Sequence, residues 1–346
     1  MRRFLLTICF ALICWLTAGQ VQAQKVKVKP EPPAVPAAPA RPAPYPKPAP
    51  EPDEDQEPAV AGKSEETLVS MPTVIVSFCG GTSDVIVRGW DRNEVRARVE
   101  SGETVKLKAY TESKSAPASR IEVNIPSFLN HDRHGMCHST ADLQLDVPRG
   151  AIVEVRTNEG DVDVENIARL RAESLSGSFS LRNITKGIDA TSFNGDVAIE
   201  RSRGPLNLRS ISGTVEVRDS ASGESGDGLV ASSVSGEIAL SNCGFAQVRA
   251  NSVTGDLMWN GPLSSWGKYD LATTNGDITM VLPADSSFRV SARVAAQGRV
   301  DSQFALKSEG DTSFRKLAEE VTGTYGSGNS KLDLTTFNGT IRLRKK

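Results

Sequence analysis

Ile188-Asp189-Ala190-Thr191-Ser192-Phe193-Asn194-Gly195-Asp196-Val197-Ala198-Ile199-Glu200 is answered, 18 residues on, by Leu206-Asn207-Leu208-Arg209-Ser210-Ile211-Ser212-Gly213-Thr214-Val215-Glu216-Val217-Arg218. Aligned on the glycine, both segments place apolar residues seven and five positions before it and two and four after it, with a hydroxyl three before. The same pattern surrounds Gly160, Gly177, Gly236, Gly255 and Gly276 and returns at Gly339 after a gap. Self-similarity at a fixed period of this size marks a repeat architecture. Apolar residues alternating on either side of a turn have the period of half-buried strands.

A strand, a glycine turn and a second strand, repeated about every 18 residues, make one coil of a β-solenoid, or β-helix-like repeat. One coil cannot bury its own apolar face, so coils must stack, like residue over like residue. Ile188, Leu206 and Leu229 are expected in one shared column. The hydroxyls (Thr157, Ser174, Ser192, Ser210, Ser233, Ser252, Thr273, Thr336) are expected to bond internally at a corner. An up-and-down antiparallel sheet is the competing architecture, because strand–turn–strand also reads as a hairpin.

The residue after the glycine is often acidic: Asp161, Asp196, Glu237, Asp256 and Asp277. Stacked carboxylates could attract calcium, but the nine-residue calcium-binding glycine repeat is absent, and solvated turn carboxylates are the expectation.

The ends of the chain differ from its middle. Met1–Ala23 reads as a secretory signal: Arg2 and Arg3, an apolar core from Phe4 to Leu16 too short for a membrane span, and a Val21-Gln22-Ala23 cleavage site. Residues 24–66 read as a linker: most of the chain's 19 prolines fall between Pro30 and Pro58, where too little apolar surface is available to fold. Residues 67–150 alternate in short runs and read as an N-terminal antiparallel β region capping the first coil. Residues 151–346 are the solenoid, with an irregular insertion at 284–330 in which Phe314–Val321 reads as a helical turn or two. A formal net charge of −2 and 5% aromatic residues suit a thin, turn-rich exported β protein and not a nucleic-acid binder.

Asp84-Val85-Ile86-Val87-Arg88-Gly89-Trp90-Asp91, Glu94-Val95 and Leu145-Asp146-Val147-Pro148-Arg149-Gly150, followed by the run of Ser-x-Ser-Gly and Asn-Gly-Asp turns, resemble the putative-adhesin domain family over about Thr73 to Lys346. The resemblance implies a bacterial envelope protein with a repetitive β fold and no assigned function. It offers no catalytic residues to carry over.

All three histidines, His131, His134 and His138, lie with Cys137 in eight residues. Imidazole and thiolate suit zinc or copper, but this spacing fits no established metal motif, and the segment reads as an exposed loop. An exported chain favours disulfides. Cys79 and Cys137 are the candidate pair, with Cys243 left free and buried. A bridge there would compete with metal binding.

No column of mid-strand positions concentrates acids. The histidines sit in a single loop far in sequence from any nucleophile-elbow motif, so no serine nucleophile is identifiable and nothing meets the requirements of a catalytic site. The expectation is a non-catalytic, cofactor-free protein of the periplasm, cell surface or medium. It would have no membrane span after signal cleavage, and its repetitive β surface would bind an envelope or extracellular protein or polysaccharide, or scaffold others. The alternatives are a structural element that self-assembles through its ends and, less favoured, a β-helical enzyme acting on polysaccharide.

Overall fold

The computed structural model describes residues 64–100, 102–113, 115–126, 139–308 and 319–346. They contain strands and turns and no helix. The N-terminal strands are β1 (Ser64–Gly80), β2 (Val85–Trp90), β3 (Glu94–Val99), β4 (Lys106–Tyr110), β5 (Ala118–Asn124) and β6 (Leu143–Pro148). The repeats give seven pairs, a long strand before each glycine and a short one after it. They are β7 (Ile152–Glu159) with β8 (Val162–Glu165), β9 (Arg169–Ser176) with β10 (Phe179–Arg182), β11 (Ile188–Asn194) with β12 (Val197–Glu200), and β13 (Leu206–Ser212) with β14 (Val215–Arg218). Next come β15 (Leu229–Ser235) with β16 (Ile238–Ser241), β17 (Gln247–Thr254) with β18 (Leu257–Asn260), and β19 (Lys268–Asn275) with β20 (Ile278–Leu282). The terminal strands are β21 (Phe288–Gln297), β22 (Val300–Ser302), β23 (Lys307–Ser308), β24 (Glu319–Tyr325), β25 (Ser330–Asn338) and β26 (Ile341–Lys345).

Long strands pair only with long strands, and short with short, in parallel and without register shift from coil to coil. Parallel pairing is what a solenoid requires and a hairpin sheet forbids. The two sheets face each other, and the apolar residues fill the gap between them. Ile188 stands opposite Leu206 and Leu206 opposite Leu229, so the three form one column, all buried. Each buried aliphatic side chain in such a column stabilises by about 1.5–3 kcal/mol.

The glycine turn is fixed by stacking. A Cβ on Gly195 would lie 2.2 Å from the carbonyl oxygen of Gly177, and one on Gly339 would lie 1.9 Å from that of Gly276. Only a residue without a side chain lets successive turns nest this closely. The hydroxyls close the corner from inside: Ser192, Ser252, Thr273 and Thr336 donate to the glycine carbonyls of the preceding coil at 3.3, 3.3, 3.0 and 2.9 Å. The carboxylates after the glycine close it from outside. Asp161 accepts the Ser178 N–H at 2.8 Å, Asp196 the Thr214 N–H at 2.7 Å, and Asp256 the Asp277 N–H at 2.8 Å. The acidic column is thus a capping device between coils, which accounts for it without calcium.

A second turn follows the short strands, where Asn166, Asn183, Arg201, Asp219 and Asn242 all have positive φ. Asn and Asp tolerate this conformation better than most residues. One residue later, Ile167, Ile184, Ser202, Ser220 and Cys243 share a buried column. Ser202 and Ser220 donate to carbonyls two residues back at 3.1 and 2.9 Å, and the Cys243 thiol takes the same bond to Ser241 at 3.4 Å.

Both ends are clasped by an out-of-order coil. At the N-terminal end β1 and β2 lie between β7/β8 and β5/β6, all in parallel. The antiparallel capping is carried by β3, against β1 and β6, and by β4, against β5. The expected antiparallel region is therefore antiparallel at its outer edge and continues the parallel coils beneath. Its first strand begins at Ser64, three residues inside the expected linker. At the C-terminal end, β25 and β26 slot between β19/β20 and β21/β22. Much of the expected irregular insertion is thus the outermost coil. Glu319–Val321, expected to be helical, belongs to β24, because antiparallel pairing with β21 supplies its backbone partners.

Candidate functional site

A groove of about 810 Å³ lies on the outer face of the long-strand sheet near its N-terminal end. Its origin is local. On β1 the outward residues Ser77 and Cys79 are small. The neighbouring strands carry long ones: Arg120, Glu122 and Asn124 on β5, Glu154 and Arg156 on β7, and Arg171 and Glu173 on β9. Ser77 is in register with both Glu122 and Glu154, and Cys79 with Arg156. A low strand between tall rows makes a trough, and the ladder beneath holds its walls in place.

The walls are matched in charge, with three guanidinium and three carboxylate groups. Arg120 donates to Glu154 at 3.1 Å, Arg156 to Glu173 at 3.1 Å, and Arg171 lies 3.6 Å from Glu173. Exposed pairs of this kind contribute at most about 1 kcal/mol each. Their larger effect is to hold donors and acceptors at fixed positions on a rigid sheet.

Cys79 lies in this trough and is disulfide-bonded. His131, His134, Cys137 and His138 lie outside the described residues, so the metal and pairing expectations carry no geometry here. Cys243 is free and buried, on the inner side of the second turn. Burial pushes its thiol up to about 12, outweighing its backbone hydrogen bonds. Among the described residues no three His, Cys, Asp or Glu are grouped to hold a metal ion, and no helix is long and apolar enough to cross a membrane.

Other singled-out residues are structural. Trp90 donates to the Glu94 carbonyl at 2.8 Å and is covered by the guanidinium groups of Arg92 and Arg96 at 5.0 and 4.7 Å. Asp146, nearly buried, accepts from Arg96 at 2.8 Å and Arg98 at 2.9 Å. Together they tie the capping strand β3 to the first coils.

The family model described as Toastrack DUF4097 matches residues 82–344, most of the chain and nearly all of the β structure. The chain belongs to the Toastrack family. Three solved structures are similar to this Toastrack chain at low identity. A putative cell adhesion protein from Clostridium sporogenes has 11% identity and a TM-score of 0.23, over 82% of this chain and 100% of the other. A putative adhesin from Parabacteroides merdae has 10% identity and a TM-score of 0.44, over 81% and 95%. A putative lipid binding protein from Parabacteroides distasonis has 9% identity and a TM-score of 0.30, over 81% and 96%. The comparison with curated proteins finds no match.

The trough itself was not singled out from sequence. Its rows are polar positions two apart on strands that are distant in the chain, and only the out-of-order placement of β1 between β5 and β7 brings them together.

Proposed function

We propose that this is an exported, non-catalytic envelope protein that uses its β surface to bind a hydroxyl-rich envelope polymer in the trough over β1. The observation that carries this reading is the balanced row of fixed guanidinium and carboxylate groups around Ser77. Sugar hydroxyls both donate and accept, and such a row offers them both partners without favouring a charged ligand. The volume is in the range of pockets that take a small ligand or a few units of a polymer. We assign the partner of the Cys79 disulfide to Cys137.

Export is inferred from the N-terminal signal pattern and the use of a disulfide. Self-assembly through the ends is less favoured, because antiparallel strands cover the N-terminal end (β3 and β4) and the long-strand edge of the C-terminal end (β24). The edge strand β4 also presents Lys106 and Lys108, charges that oppose further strand addition.

The test is binding of the purified protein to fractionated envelope polysaccharides by calorimetry, with the double variant Arg120→Ala and Arg156→Ala. Retention of a polysaccharide by the natural protein, weakened about tenfold or more in the variant, supports the reading. Equal binding by both proteins, or none to any fraction, refutes it.

A further inference from the structure

Two positions before each repeat glycine, at the end of the long strand, the side chain points outward, and in six coils it is a large apolar residue. Leu175, Phe193, Ile211, Val234, Val253 and Phe337 are between 39% and 51% exposed. The parallel register places them one above another on β9, β11, β13, β15, β17 and β25. Thr274 fills the rung on β19. Seven rungs at a strand spacing of ~4.8 Å give a straight ladder about 29 Å long. Scattered exposed apolar residues need no explanation, but an aligned row of them marks a contact surface.

We propose that this ladder binds a single extended, proline-rich peptide carrying basic residues. Its shape selects the class. A strip one residue wide covers far less than the roughly 800 Å² per partner of a stable protein pair, so a second globular surface is a poor fit. A polyproline II helix is a close match. It rises 3.1 Å per residue with three residues per turn, so one face recurs every ~9.3 Å, close to the ~9.6 Å between alternate rungs. Its pre-ordered backbone loses little entropy on binding.

Charge selects within the class. Three residues beyond the apolar position, across the glycine, stand Asp196, Glu237, Asp256 and Asp277, the first three exposed. Asp196 and Asp256 each accept a backbone N–H on one oxygen, while Asp277 is also paired with Arg342, so Asp196, Glu237 and Asp256 are the carboxylates left facing the ladder. A row of negative charge beside an apolar strip attracts lysine or arginine and repels the headgroup of a fatty acid or an acidic lipid.

The test is fluorescence anisotropy on the full chain with labelled repeats of Lys-Pro-Pro and of Glu-Pro-Pro, alongside palmitate binding and light scattering. Supporting results are binding of Lys-Pro-Pro that weakens with salt, no binding of Glu-Pro-Pro, and about tenfold or greater loss in Phe193→Ser with Val234→Ser. Circular dichroism must show that variant folded. Should it unfold, Asp196→Asn with Glu237→Gln serves instead, with the salt dependence expected to shrink. Absence of Lys-Pro-Pro binding, undiminished binding by the variants, preference for palmitate, or self-association abolished by the Phe193→Ser pair would each overturn the proposal.

Discussion

Replacing Gly255 by alanine isolates what the glycine column does. The new methyl carbon would stand 2.0 Å from the Gly236 carbonyl oxygen and 2.6 Å from its carbon, where ordinary contact begins at 3.4 Å. Both obstacles are backbone, so the two turns must part by about 1.4 Å in a packed interior that resists such shifts. Overpacking on this scale costs about 1–3 kcal/mol. Parting also strains the Ser252 hydroxyl bond to Gly236 (3.3 Å) and the Gly236 N–H bond to the Thr254 carbonyl (3.0 Å), at about 1 kcal/mol each. The expected loss is therefore about 3–5 kcal/mol, felt mainly by the coils on either side, because repeat stability is a sum of neighbour terms. Gly226 is the control. Its φ is also positive, at 100°, but nothing lies within 4 Å of a Cβ there, so alanine should cost only the left-handed penalty of about 1–2 kcal/mol. Amide hydrogen exchange at Ile238, Leu257 and Ile278 reads the local loss. If Gly255→Ala opens these amides no more than Gly226→Ala does, the nesting argument is wrong.

Further outcomes follow from the corners and the clasp. Cys243→Ser should leave the melting temperature within a few degrees of the natural protein, since Ser202 and Ser220 already fill that column, whereas Cys243 itself should resist thiol reagents until the protein unfolds. For Asp277, burial alone would raise the carboxyl, but the Arg342 hydrogen bond at 2.5 Å, the Thr340 N–H and the Arg342 charge together hold it below its ordinary value. The Arg344 hydrogen bond likewise lowers Asp301. A lowered carboxylate contributes above its unfolded pKa and loses that contribution as pH falls through the folded one. The β20–β26–β22 edge should therefore open first in acid, below the ordinary carboxylate range, as exchange of the Leu343 amide would show. Deleting residues 330–346 should expose both β19/β20 and β21/β22, and limited proteolysis should then cut within 284–308 while the earlier coils stay protected.

The solenoid was legible because its signal is columnar: the −7, −5, +2 and +4 positions repeat the same apolar character, and the −3 hydroxyl repeats with them. The second turn column was not, because Asn166, Asn183, Arg201, Asp219 and Asn242 share a conformation and not a residue type. The −2 ladder lay in plain view beside Ser192 and Ser210, yet an apolar residue next to a turn reads as core until the bend shows it facing outward. The ends were least legible. Nothing in the order of residues says that the strand at Leu332 precedes, in space, the one at Val290.

That inversion at both ends restricts how such a molecule can change length. A coil added after the final residue would meet β22 and β23 instead of an open stack, and one added before Ser64 would meet β3. New turns can enter only in the run between Arg169 and Asn275, where every coil has identical neighbours above and below. The molecule can be lengthened like a bracelet with fixed fasteners, link by link in the middle, while the two fasteners and the trough beside one of them stay as they are.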